Sequence, residues 1–405
     1  MHIVRSSPRP PRRRAGARRP HLAGTPRGPT LTIPHDQRPL AIPAFTLLAL
    51  SITLVADRVV TLIVERHEAG AEEWDGFVRS QPGWTHFHLH GWRTVMRDVF
   101  GHECIYLAAR HADTRRLAAV VPLVRVKSVV FGHYLISMPF LNYGGPLGDD
   151  AGVRSVVEEA VRIASADGVK LLELRSRTAL PLDLPVSHRK ITVVLDLPDN
   201  AELLWQALPG KLRSQVKRPR KEGVEVRFGS DQIAAFYKVF SEHMRDLGTP
   251  VQPLRLFETL ARVFPDDVTF AVAYHEGKPI ACGCGFLWDG EFEITWASAL
   301  RSHKATSPNM LVYWGLMERM VGAGARRFNF GRCSQGSGTH RFKMQWGGRE
   351  EQLWWYQRTE HPADGEESRT PSQDRGLFWL ASRAWQRLPL PVATRLGPSI
   401  VRYIP

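Results

Sequence analysis

With 405 residues, 43% of them apolar and 23% charged, the chain can fill the cores of two ordinary domains, which excludes a wholly disordered or fibrous protein. The net charge of +14 is uneven, because residues 1–60 hold ten arginines against two aspartates and so carry more than half of the excess. Four cysteines, Cys104, Cys282, Cys284 and Cys333, show neither C-x-x-C pairs nor His/Cys zinc spacing, which argues for free thiols in a reducing compartment and against a bound metal.

Residues 1–60 read as a basic, Pro-rich leader with too little apolar content to fold. Its apolar run from Leu40 to Val55 is interrupted by Pro43 and falls short of the ~20 residues of a spanning helix. Two readings stay open: a disordered extension, or an export or anchoring segment with a poor cleavage pattern.

From Val60 onward one pattern occurs twice. Cys104–Arg110 and Leu117–Val124 form a predicted hairpin, and Val268–Tyr274 with Pro279–Trp288 form a second one about 160 residues later. Each leads to a third strand (Tyr134–Pro139; Glu291–Ala297), a loop, a helix (Gly152–Ala166; Pro308–Val321), a capping glycine (Gly168; Gly324) and a short strand (Lys170–Leu174; Arg327–Phe330). The expected fold class is therefore α/β (α+β), with two similar domains, each a mixed, mostly antiparallel sheet flanked by helices. Cys282 and Cys284 alternate on one strand and should share a face.

Between the halves, Ala201–Lys221 has helical spacing. Leu204, Leu208, Leu212 and Val216 fall on one face and Arg213, Lys217, Arg218, Arg220 and Lys221 on the other, with six cations from Lys211 to Lys221 and with Pro219 expected to end or kink the helix. This dense positive face is either simply solvated or meets an acidic partner such as phosphate or tRNA.

The segment Phe330–Gly347 places glycines, cations and aromatics in one short stretch, which suits gripping an anion or a developing oxyanion, although a polar surface turn has the same composition. Arg332 and Arg341 offer bidentate guanidinium groups for phosphate or carboxylate. His340 is a candidate general base by residue type. Cys333 lies beside Arg332, the sole argument for a lowered thiol pKa. Asn309 opens a helix just after Ser307-Pro308, where free backbone N–H groups suit a phosphorylated donor, although the preceding loop from Arg301 to Thr306 is cationic without glycine.

Several stretches then occur in a characteristic order: Trp205–Lys217, Phe236-Tyr237 with Met244–Pro250, Ser307–Trp314, Phe330–Gly347, and in the first half Phe131-Gly132 with Ser137–Leu147. Together they resemble the FemAB-like branch of the GNAT acyltransferase superfamily, in particular the FemAB-related proteins associated with PEP-CTERM/exosortase systems. The resemblance covers about residues 62–357 and a tail with Leu388–Pro391 and Gly397-Pro398. It departs from the family at Pro219, where the basic helix usually continues, and at Cys333, where a small hydroxyl residue is common.

The resemblance implies tandem GNAT-like domains over residues 61–196 and 197–360, the second of the CelD-like acetyltransferase kind, followed by a linker and basic amphipathic tail over 361–405. It implies an N-acyltransferase moving an acyl or aminoacyl group to an amine of a cell-envelope or exopolysaccharide-related acceptor. The donor would be acyl-CoA or aminoacyl-tRNA, used as a substrate with no tightly bound cofactor. In Phe342-Lys343-x-x-Trp346-Gly347, Lys343 matches the lysine implicated in stabilising developing negative charge, although its stem could equally lie along apolar surface. Lys343 and His340 form the expected catalytic pair. The expected substrate-binding set is Arg332, Arg341, Asn309, Tyr313, Trp296, Lys211, Arg213 and Lys217, with Asn142 and Tyr143 reaching the acceptor from the first half. The expected location is the cytoplasm, peripheral to the inner membrane through residues 375–405, whose Trp379, Trp385 and arginines suit an anionic surface or packing against the second domain. The alternative is a non-catalytic scaffold that binds glycan precursors or partners at the membrane.

Overall fold

The computed structural model of the chain describes residues 61–129, 131–359 and 375–404. The leader of residues 1–60, with its apolar run, and most of the expected linker lie outside the described residues.

Two mixed sheets carry the fold. The first runs Leu62–Arg66, Glu103–His111, Leu117–Ser128, Gly132–Ser137, Leu171–Ser176, Trp354–Thr359 and Val186–Ser187, with Leu147–Gly148 paired beside Leu117–Ser128. The second runs Arg349–Gln352, Ile191–Asp196, Arg327–Cys333, Glu291–Ala299, Lys278–Trp288, Val268–His275 and Glu225–Phe228. The repeat read from the sequence is present in both. An antiparallel hairpin leads to a third antiparallel strand, and a helix (Asp150–Ala166; Pro308–Gly322) then crosses to a strand parallel to that third one. A parallel neighbour needs such a crossover, and the helix covers the sheet face on the way.

The sheets do not divide at residue 196. Ile191–Asp196 pairs antiparallel with Arg327–Cys333 in the second sheet, and Trp354–Thr359 pairs antiparallel with Leu171–Ser176 in the first. Each half therefore lends a strand to flank the closing strand of the other.

The expected helix over 201–221 is two helices, Ala201–Ala207 and Gly210–Lys221. Pro209 has no N–H and forces Leu208 into extended backbone (ψ 140°), which breaks the run. The apolar face survives the break, with Leu204, Leu208, Leu212 and Val216 all buried. Pro219 does not itself end the second helix: it lies two residues before the last one, Lys221, and the Arg218 and Pro219 carbonyls still accept from Glu222 N–H. Cys282 and Cys284 are both buried, and all four cysteines are free. The tail forms helices Arg375–Gln386 and Leu390–Val401, packed against helix Ile233–Leu247. Among the described residues no helix is long and apolar enough to cross a membrane.

Candidate active site

The parallel strands Glu291–Ala299 and Arg327–Cys333 pair only through Glu291↔Arg327, Phe292↔Phe328 and Glu293↔Asn329. Beyond that they part. Thr295 is an extra residue against the neighbouring hairpin strand, a bulge that turns its strand away. On the other strand Gly331 takes φ 71°, and its ladder to Ile191–Asp196 is interrupted between Asn329 and Arg332. The segment expected as a glycine-rich loop is thus a strand as far as Cys333, a turn, and the short helix Gly338–Met344.

That helix aims Lys343 back at the interruption. Its side chain is 3% exposed, and Nζ donates to the carbonyl oxygens of Gly331 (2.5 Å) and Arg332 (2.9 Å). Burial pushes the ammonium down to about 8, against the pull of Cys333 and Glu293. An ammonium has three donors, so one N–H remains after the two carbonyls.

Glu293, at the last paired position, is fully buried. Asn142 Nδ2 donates to its Oε1, while Oε2 has no hydrogen-bond partner among the described residues. Burial pushes its carboxyl up to about 7, partly offset by hydrogen bonds from Tyr143 and Asn142 and reinforced by Glu291. A β-carbon at Gly331 would lie 3.3 Å from Asn142 Nδ2 and 4.0 Å from Glu293 Oε1, so the anchor of Lys343 and the carboxylate flank the same glycine. Asn329 fixes this arrangement with every polar atom used. Its Oδ1 accepts from Gly331 N–H (2.8 Å) and Thr192 Oγ1 (2.6 Å), and its Nδ2 donates to Tyr143 OH (3.0 Å) and Glu291 Oε1 (2.8 Å). Arg177 links Glu291 (2.7 Å) to Glu351 (2.9 Å).

A cleft of about 440 Å³ opens against the segment that holds Lys343, whose own side chain is not part of its lining. Phe342 and Gln345, next to Lys343, form one wall; the start of helix Pro308–Gly322 with Asn309 forms another, joined by Arg301, Lys304, His243 and Gln215. Residues Arg301–Thr306, expected as a loop, form a 3₁₀ turn that brings two of its cations to the cleft. Ser307 caps the helix in the left-handed region (φ 56°) without a side-chain hydrogen bond, leaving the positive end of a 15-residue helix facing the cleft.

Of the residues singled out in the sequence, Lys343, Arg332, Asn142 and Tyr143 come together around Gly331, and Asn309 lines the cleft. Arg332 lies 5.2 Å over the Trp355 ring and donates to Leu141 O (3.4 Å); burial and the nearby Arg175 push it down to about 10. The others serve elsewhere. His340 Nδ1 accepts from Gly336 N–H and Nε2 meets Glu350 Oε1 at 2.8 Å, so neither ring nitrogen is free, and Arg341 donates to Gly336 O. Both stitch the turn before the short helix. Tyr313 is buried in the second-half core, stacked on Phe330 at 5.8 Å, and Trp296 packs on Phe257 at 5.4 Å. Lys211, Arg213 and Lys217 lie on Gly210–Lys221, whose cleft-lining residue is Gln215; Lys217 instead sits 5.5 Å over Trp205. Burial raises the Cys333 thiol, outweighing Lys343 and Lys190, contrary to a lowered pKa. Glu293 went unread because an acid in an alternating strand reads as solvent-facing; the only signal was that Glu291 and Glu293 share one face of an otherwise apolar strand.

Residues 210–344 match the sequence family described as acetyltransferase (GNAT) domain. The chain is 26% identical over 137 residues to the UDP-N-acetylmuramoylpentapeptide-lysine N(6)-alanyltransferase of Weissella viridescens, a match spanning 31% of this chain and only 40% of that enzyme. Its fold is similar to the crystal structure of FemX, with a TM-score of 0.55 at 12% identity over 72% of this chain and 97% of that one. A conserved protein of unknown function from Bacteroides thetaiotaomicron aligns with a TM-score of 0.51 at 10% identity, over 74% of this chain and the whole of that one. Residues 210–344 are therefore similar to a GNAT acetyltransferase domain. The fold of the body that contains them is similar to that of FemX.

Proposed function

We propose that the protein is an N-acyltransferase that joins an activated acyl or aminoacyl group to an amine by direct attack, at the point where the two parallel strands part. The observation that carries this reading is the pairing of a buried carboxylate near neutrality, Glu293, with a buried lysine holding one spare donor, Lys343, on either side of Gly331. Acyl transfer to an amine needs no covalent enzyme intermediate; it needs two positioned substrates, a proton acceptor and a stabilised oxyanion.

The amine nitrogen bonds to the donor carbonyl carbon, and its proton passes to the free Oε2 of Glu293. Negative charge collects on the carbonyl oxygen, where the remaining Lys343 N–H meets it, and as the C–S or C–O bond breaks the carrier leaves as a thiol or alcohol that takes the proton from Glu293. The helix end at Asn309 with Arg301 and Lys304 suits a phosphate-bearing carrier, coenzyme A or the 3′ end of a charged tRNA. His340, in this reading, positions the turn that holds the Lys343 helix. The acceptor is an amine of an envelope or exopolysaccharide precursor, a choice that leans on the alanyltransferase relative, whose named acceptor is the lysine of a muramoylpentapeptide. The two sheets act as a tandem pair of GNAT-like halves, the first supplying Asn142 and Tyr143 to a centre in the second. The reaction belongs in the cytoplasm, where both donor classes are made and the four free thiols stay reduced.

A mass-spectrometric screen of purified protein with acyl-CoAs and aminoacyl-tRNAs against amine acceptors tests this. The expected result is a transferred mass on the amine that disappears in Lys343→Ala with the circular dichroism spectrum unchanged. Turnover of no donor would overturn it.

A further inference from the structure

Eight large apolar side chains are exposed among the described residues, and four of them, Trp379 (53%), Leu380 (60%), Val392 (40%) and Leu396 (47%), lie on the two tail helices. A fifth, Leu247, ends the helix on which the tail packs and takes a hydrogen bond from Ser382 Oγ at its carbonyl. The concentration is not a consequence of a loosely placed tail. Ala393, Gly397 and Val401 form a buried inner face, a β-carbon at Gly397 would come within 2.8 Å of Val251 N, Arg245 donates to Leu388 O, and His102 Nε2 meets Arg402 O at 2.8 Å. The outer faces are what remain apolar.

They are also one-signed. Residues 375–405 contain five arginines and no acidic residue. Arg383, Arg387 and Arg395 are exposed and none is ion-paired among the described residues; the Arg383 guanidinium lies 4.5 Å over the Trp379 ring. An indole backed by a guanidinium, flanked by leucines and unpaired arginines, suits the boundary between acyl chains and phosphate headgroups. A second copy of the chain would face the same charge with no acid to meet it, and exposed Val and Leu offer nothing to a nucleic acid backbone.

We propose that the outer face of this two-helix tail docks on a membrane surface bearing anionic phospholipids, with Trp379, Leu380, Val392 and Leu396 entering the interface and the arginines meeting headgroup phosphates. Docking is separate from acyl transfer: the face contains none of the residues around Gly331, so either can fail without the other.

Sedimentation of the full chain with phosphatidylcholine vesicles, with and without phosphatidylglycerol, tests it. The phosphatidylglycerol vesicles should bind about tenfold or more tightly, with the advantage lost at high salt. The double variant Trp379→Ser/Leu380→Ser and the triple variant Arg383→Gln/Arg387→Gln/Arg395→Gln should each lose about tenfold in affinity while melting as the parent does, since the changed side chains are exposed. The proposal is overturned if the parent binds neither vesicle, if it binds both equally, if both variants bind as the parent does, or if the parent self-associates through this face and the variants do not.

Discussion

Glu293 and Lys343 are each held in the environment least favourable to their charge, and that is the source of their expected chemistry. Glu293→Gln should lower the rate of transfer by about a hundredfold or more, the usual weight of a positioned proton acceptor. The same change should stabilise the fold. A carboxyl raised in the folded state to about 7 contributes stability that is complete below its unfolded value of 4.5 and is lost as pH rises through 7. The variant should therefore match the parent near pH 4 and exceed it by about 1–3 kcal/mol at pH 8, read by urea denaturation at both values. Lys343→Ala should cost ~3–4 kcal/mol in barrier through the lost donor. Lys343 was legible, because its motif surrounds it in sequence. Glu293 was not: its burial depends on Asn142 and Tyr143, about 150 residues away, and alternation reports which face a side chain takes without saying what covers that face.

At the level of elements, the site exists because two strands stop pairing after three residues. Two glycines permit it. Gly331 carries the positive φ, and at Gly285 a β-carbon would stand 2.1 Å from the Glu293 carbonyl oxygen. Gly285→Ala should destabilise the protein by about 1–3 kcal/mol and reduce transfer by displacing the Glu293 backbone, with a wild-type melting curve and activity contradicting that role. The hairpins, crossover helices and capping glycines were readable because each is set by local periodicity and local turn chemistry. The break at Pro209 was readable in principle, yet the apolar spacing of Leu204, Leu208, Leu212 and Val216 runs through it unbroken and so masked it. Pro219 is tolerated just before the last residues of its helix, since a proline near a helix end removes a single hydrogen bond.

Over the whole molecule the two halves are joined by exchange. Trp355 pairs with Arg175 and Thr192 with Arg332, contacts 180 and 140 residues apart that no local pattern announces. Arg177 adds a half-buried tie from the first half to Glu291 and Glu351 in the second sheet. Arg177→Ala should cost about 1–3 kcal/mol, because buried Glu291 loses one of its two cations and keeps only Arg327 at 3.1 Å. The exchange makes a further expectation: urea unfolding followed by tryptophan fluorescence and by circular dichroism should give coincident single transitions, and residues 61–196 expressed alone should not fold. Two separated transitions would show that the halves are independent.

The dependence of amine acylation rate on pH, measured for the parent and for Glu293→Gln with whichever donor is consumed, reaches the central claim most directly. The parent should rise as Glu293 loses its proton near pH 7 and fall as Lys343 loses its own near pH 8, and the variant should lose the lower limb together with most of its rate. A variant that acylates amines at the parental rate with the parental profile would show that transfer does not take place where the strands part.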